Sequence, residues 1–157
     1  GHPGAGGVRR PGLHRGVQPA LKAMPHLVIL YTPQLEAETD MAALCRRLAD
    51  TMLAARDESG APVFPVGGTR VLAYPAAHHA VADGSGDHAF CWFNLRMGRG
   101  RSEAVHQAAG QALADAAKAH FAPLLQRRRV GLTLQIDVGA EVFDAKFGNL
   151  HALFAKP

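Results

Sequence analysis

The amino-acid sequence predicts an α/β (α+β) fold: a duplicated βαβ unit that forms one sheet with two helices on one face. Three observations predict it. Largely apolar stretches of strand length stand at residues 27–31 and 88–96 and a strict alternation at 130–138; stretches of helical period follow the first two and precede a strand each; and the order strand, helix, strand occurs twice at similar spacing. Right-handed crossovers in both units put both helices on the same side of the sheet. The other face is then bare, yet its strands are too apolar for water, so self-association is expected.

The elements follow in order. Leu27-Val28-Ile29-Leu30-Tyr31 is a continuous apolar run, as for a strand covered on both faces. After Thr32-Pro33, Thr39 or Asp40 caps a helix whose stripe is Met41, Leu44, Cys45, Leu48 and Met52. Asp57 to Pro62 breaks that helix, Phe64-Pro65 and Gly67-Gly68 form a connection, and residues 69–74 read as a short strand. The turn Asp83-Gly84-Ser85-Gly86 leads to the strand at 88–96. Ser102 caps a second helix with Val105, Ala109, Ala112, Leu113, Ala116 and Phe121 on one side. Strict alternation from Val130 to Val138 makes the last strand.

Composition narrows the function. At 157 residues and 48% apolar content the chain suits one domain at 25–157, and no apolar run approaches the roughly 20 residues that span a bilayer. The net charge of +4 comes from Arg9, Arg10, Arg15 and Lys22, which leaves 13 basic against 13 acidic residues in 25–157. A neutral body argues against a nucleic-acid partner. The cluster Arg127-Arg128-Arg129 sits at a helix end, where it complements the dipole. Cys45 and Cys91 fall inside apolar patterns and read as reduced core residues of a cytoplasmic protein. His78-His79 is an adjacent pair whose side chains diverge on a strand, with no spacing that completes a metal site. Residues 1–24 are rich in Gly and Pro and lack an apolar h-region, so they read as a flexible extension or tag, not a secretory signal.

Met24-Pro25-His26 directly precedes the first strand. Were the chain to start at Met24, its removal would give Pro25 a free secondary amine, which can act as a base; inside a peptide bond the same nitrogen has neither proton nor available lone pair. By itself a proline there simply opens a strand.

Four blocks in order change that reading: Met-Pro-His before an apolar strand, Phe64-Pro65-Val66-Gly67-Gly68-Thr69-Arg70, Arg96-Met97-Gly98-Arg99-Gly100-Arg101-Ser102, and Asn149-Leu150-His151-Ala152-Leu153-Phe154. Together they closely resemble the 5-carboxymethyl-2-hydroxymuconate Δ-isomerase family of the tautomerase superfamily, over essentially all of 25–157. The resemblance implies a homotrimer, no cofactor, and a carboxylated small-molecule dienol as substrate, in aromatic-acid breakdown. It implies Pro25 as general base, with Arg70 and Arg101 holding the substrate's carboxylates. From spacing alone, Arg70 is equally a surface cation, while Arg101, just ahead of a helix, is mildly disfavoured by the dipole unless an acidic group meets it. His26 is expected to tune the site's surroundings, Arg99 to be an exposed loop cation, and His151 to serve packing or subunit contact. The segment 56–62 is longer than the family pattern and is expected to reshape a rim. A sibling proline-dependent tautomerase, hydratase or dehalogenase, or a noncatalytic trimeric binding protein, are the competing readings.

Overall fold

The computed structural model describes residues 25–139 and 141–155; the expectation for residues 1–24 lies outside them. The chain runs β1 (His26–Tyr31), α1 (Leu35–Glu38), α2 (Met41–Ala54), β2 (Arg70–Pro75), β3 (Ala89–Met97), α3 (Glu103–Leu125) and β4 (Val130–Val138). Two 3-10 turns, Val66–Gly68 and His151–Phe154, flank the sheet. The expected duplicated βαβ architecture is the observed one. Strand order is β2-β1-β3-β4, with β1 parallel to β2, β3 parallel to β4, and β1 antiparallel to β3 at the centre.

One face of the sheet is the core. Leu27, Ile29 and Tyr31 of β1 and Cys91, Phe93, Leu95 and Met97 of β3 are buried on it. Leu44, Leu48 and Met52 of α2 and Val105, Leu113 and Phe121 of α3 cover them from above. Phe93 and Phe121 meet edge to face at 6.4 Å and 84°, a favoured aromatic geometry. Gly110 lets α3 lie close to β4, since a Cβ there would stand 3.1 Å from Ile136 Cδ1.

The helix starts follow the sequence chemistry. Asp40 Oδ1 accepts from Ala43 N at 2.9 Å, and Ser102 Oγ accepts from Val105 N at 3.2 Å, so each caps its helix. Three details differ from expectation. The short α1 was not foreseen, because four residues carry no readable period. On α3 Ala117 is buried along with the expected Ala109, and Ala112 is exposed, since the stripe follows the 3.6-residue period through 109, 113, 117, 121 and 124. Arg128 does more than face a dipole: it pairs with Glu38 and donates from Nη1 to Asp87 O at 2.8 Å, tying the end of α3 to α1 and to the segment before β3. Cys45 and Cys91 are free thiols packed in or against the core, and burial pushes the Cys91 thiol up to about 12. No helix among the described residues is long and apolar enough to cross a membrane.

Candidate active site

Register decides what gathers at one end of the sheet. β1 and β2 start level, with His26 opposite Arg70, and β3 ends at the same level, with Arg96 opposite His26. Pro25 is buried immediately ahead of β1. Arg101 follows Met97, the last residue of β3, by four positions. The three residues expected from the sequence thus lie at one end of one sheet, contributed by the start of β1, the start of β2 and the turn between β3 and α3.

Cross-strand neighbours share a face, so the first row of the open face reads Arg70, His26, Arg96 and Asp137 across the four strands. His26 has its pKa lowered, chiefly by partial burial and then by the Arg70 cation, against an opposing pull from Glu141 and Asp144. A second row places Leu72, Val28, Asn94 and Gln135 together, and Asn94 Nδ2 donates to Asp137 Oδ2 at 2.9 Å. Arg96 is the residue that sequence reasoning passed over. It stood inside a quoted block, and strand alternation put it on the His26 face, but no spacing rule distinguishes it from a solvated strand cation. Arg99 is exposed, as expected.

Arg101 is half-buried, and that burial lowers its pKa while Asp57 opposes the shift. The acidic group wanted beside a cation at a helix start is therefore supplied by the chain itself. Asp57 belongs to the 56–62 segment, which folds on its own hydrogen bonds: Asp57 Oδ1 accepts from Ser59 N at 2.9 Å, Ser59 Oγ at 2.6 Å and Ala61 N at 3.0 Å. Ser102 Oγ also donates to the Glu58 carboxylate, so this segment abuts the start of α3.

The last segment closes the same end. The chain leaves β4 with Gly139 N donating to Met97 O at 3.2 Å, and its 3-10 turn packs on the Val66–Gly68 turn ahead of β2. A Cβ on Gly67 would lie 2.7 Å from His151 Nδ1 and 2.9 Å from His151 Cα. Packing is accordingly the role observed for His151. Two of the quoted blocks, far apart in sequence, are thus one contact in space.

Three arginines, Arg70, Arg96 and Arg101, thus stand at the buried-proline end among the carboxylates of Asp57, Asp137, Glu141 and Asp144. Among the described residues, no group of three or more His, Cys, Asp or Glu side chains is arranged to hold a metal.

The model of the family described as 5-carboxymethyl-2-hydroxymuconate isomerase matches residues 25–154. The chain belongs to that family. An Escherichia coli 5-carboxymethyl-2-hydroxymuconate Delta-isomerase is 30% identical over 131 residues, covering 83% of this chain and 99% of that protein. A crystal structure of a 5-carboxymethyl-2-hydroxymuconate delta-isomerase is 64% identical, with a TM-score of 0.83 over 86% of this chain and 95% of that one. A 5-carboxymethyl-2-hydroxymuconate isomerase from Deinococcus radiodurans R1 is 36% identical, with a TM-score of 0.75 over 85% and 96% of the two chains. The isomerase family is thus the one that the four sequence blocks implied.

Proposed function

We propose that this chain is a cofactor-free isomerase of a 5-carboxymethyl-2-hydroxymuconate-type dienol, with Pro25 as general base. The observation that carries the reading is that the family match starts at Pro25, the residue that opens β1 beside the Arg70, His26, Arg96 row. The isomerase relatives match most of the chain, one in sequence and one in fold. The amine exists in a chain that begins at Pro25; in the sequence above, Met24 precedes it.

An ordinary α-amino group titrates at about 7.7–8.0. Burial and neighbouring arginines disfavour its charged form, which leaves more free amine near neutral pH. The amine takes the proton of the substrate's enol hydroxyl and becomes a pyrrolidinium. The resulting dienolate spreads its charge along the conjugated chain, and the pyrrolidinium returns the proton to a carbon further along, completing the shift with no other reactant. Arg70 and Arg101 hold the carboxylates by charge-assisted, bidentate hydrogen bonds and stabilise the charge that develops.

The working unit is a homotrimer, supported by the apolar half of the open sheet face, where Leu30, Leu72 and Tyr74 are exposed. The two free core thiols, Cys45 and Cys91, fit a reducing compartment such as the cytoplasm.

Ultraviolet-monitored ketonisation of a 2-hydroxymuconate substrate tests the assignment. A chain expressed from Met24, with mass spectrometry confirming Pro25 as its first residue, is expected to turn over and the full-length chain to be silent. Equal activity in verified full-length protein removes the amine from the mechanism. Silence in both, with the short chain folded, overturns the substrate assignment.

A further inference from the structure

The segment between α2 and the Val66–Gly68 turn is a small closed hairpin. Arg56 bridges to Pro62, Asp57 N donates to Ala61 O at 2.9 Å, Gly60 N donates to Asp57 O at 3.0 Å, and Val63 N donates to Ala55 O at 3.1 Å. Gly60 turns it with a φ of 82°, a conformation that suits glycine. Val63 and Phe64 behind it are buried, so the hairpin is anchored to the core while its tip meets the start of α3.

That tip carries two carboxylates with different parts to play. Asp57 is committed, since its Oδ1 takes the three bonds from Ser59 and Ala61. It lies beside Arg101 without pairing with it directly, and among the described residues no hydrogen bond or ion pair claims the Arg101 guanidinium. Glu58 is exposed and reaches Ser102, the N-cap of α3, whose hydroxyl donates to it while accepting from Val105 N. Hydrogen bonds hold both carboxyls below their ordinary range, chiefly from Ser59 to Asp57 and from Ser102 to Glu58, so both are charged near neutral pH.

The start of a 23-residue helix, with an arginine one residue ahead of its cap, favours a carboxylate. The chain puts its own there. Glu58 is chemically what the substrate presents, and its tether gives it an effective concentration that a free carboxylate has to beat. We propose that Glu58 is the resident counter-anion of the Arg101 carboxylate subsite: it holds the place at the start of α3 that a substrate carboxylate takes over, Asp57 stays beside the cation, and segment 56–62 thereby sets how tightly that subsite binds. The proposal rests on the reading of Arg101 as a carboxylate holder and adds what opposes it. Only the Glu58 side chain has to swing, because the hairpin is closed on its own bonds. Substrate and product carry the same carboxylates, so the competition weakens both alike; it raises KM without slowing the chemical step.

The test uses Asp57→Asn/Glu58→Gln in the Pro25-initiated chain, which retains the whole core cluster. Each amide oxygen can accept the bonds that its carboxylate accepts, so charge alone is removed. Calorimetry measures binding of trans,trans-muconate, a diacid with no enol to ketonise, and of sorbate, the same conjugated chain with one carboxylate. The variant is expected to bind muconate about 2- to 5-fold more tightly, the scale of an exposed ion pair, and sorbate unchanged, since its one carboxylate is free to take Arg70. KM for a 2-hydroxymuconate substrate should fall by the same factor with kcat no higher. In an Arg101→Ala background the double substitution should change nothing. Muconate bound equally or more weakly by the variant overturns the proposal, and so does sorbate tightened to the same extent, which would mark a general field in place of a subsite. Arg101→Ala binding muconate as the wild type does would remove the Arg101 reading and this proposal together. The expected calorimetry with no turnover would uphold the subsite and overturn the isomerase assignment instead.

Discussion

Gly67→Ala is the most pointed test of how the site end is assembled. Gly67 is in a 3-10 turn and is not among the glycines with positive φ, so its backbone suits alanine. The methyl itself is the perturbation, standing 2.9 Å from the His151 backbone and 2.7 Å from its ring nitrogen, closer than such contacts allow. The ring can swing; the Cα cannot without moving the whole last turn. Overpacking of this kind costs about 1–3 kcal/mol. For about 130 ordered residues the unfolding entropy near the midpoint is roughly 0.27 kcal/mol/K, so Tm should fall by about 4–11 °C. The decisive assay is a double-mutant cycle by thermal melting, in which Gly67→Ala is repeated in a chain ending at Gly139. None of residues 141–155 is buried, so the shortened chain keeps its core, and the substitution there should cost almost nothing. An equal loss of Tm in both backgrounds would refute the close approach as the cause.

Arg70→Ala and Arg101→Ala should each lower kcat/KM of the Pro25-initiated enzyme by about 10- to 150-fold, the loss of one charge-assisted contact of about 1.5–3 kcal/mol; unchanged kinetics in either would withdraw that residue from substrate binding. Phe121→Ala removes a fully buried ring that meets Phe93 edge to face and should destabilise by about 3–5 kcal/mol, measured by urea unfolding. His120 has its pKa lowered by burial and by Arg47, with Asp40 opposing, and its Nε2 meets Thr39 Oγ1 at 2.9 Å. The unfolded chain then binds the proton more readily, so this contribution is present above about pH 6.5 and is lost as pH falls below it. Urea unfolding between pH 7.5 and 5 should show His120→Gln less acid-sensitive than the wild type, and parallel pH profiles would count against it.

Most of the fold was legible because its signals are local and redundant. The β4 alternation, the Asp40 and Ser102 caps and the apolar runs of β1 and β3 each state their element without help from the rest of the chain. The site was legible to a lesser degree. Pro25 and the blocks holding Arg70 and Arg101 could be selected by resemblance, but their common location depends on register, which pairs residues 44 and 70 positions from His26. Arg96 needed that register before it meant anything. The Asp57 contact to Arg101 and the meeting of Gly67 with His151 are longer-range still, and no periodicity encodes them. Arg128 misled in the ordinary way: a cation near a helix end satisfies the dipole rule whether or not it is also clasping two acids.

The antiparallel β1–β3 seam divides the chain into two half-domains, each with its own parallel strand pair and covering helix. The 76–88 connection is then less a structural element than a tether. It holds the halves at high effective concentration, so that a joint of six backbone pairs forms as an intramolecular event. Arg128 acts as the latch, reaching from the second half to Glu38 of the first and to Asp87 on the tether. Each half could therefore change its outer edge without renegotiating its own core, provided the seam and the latch were kept.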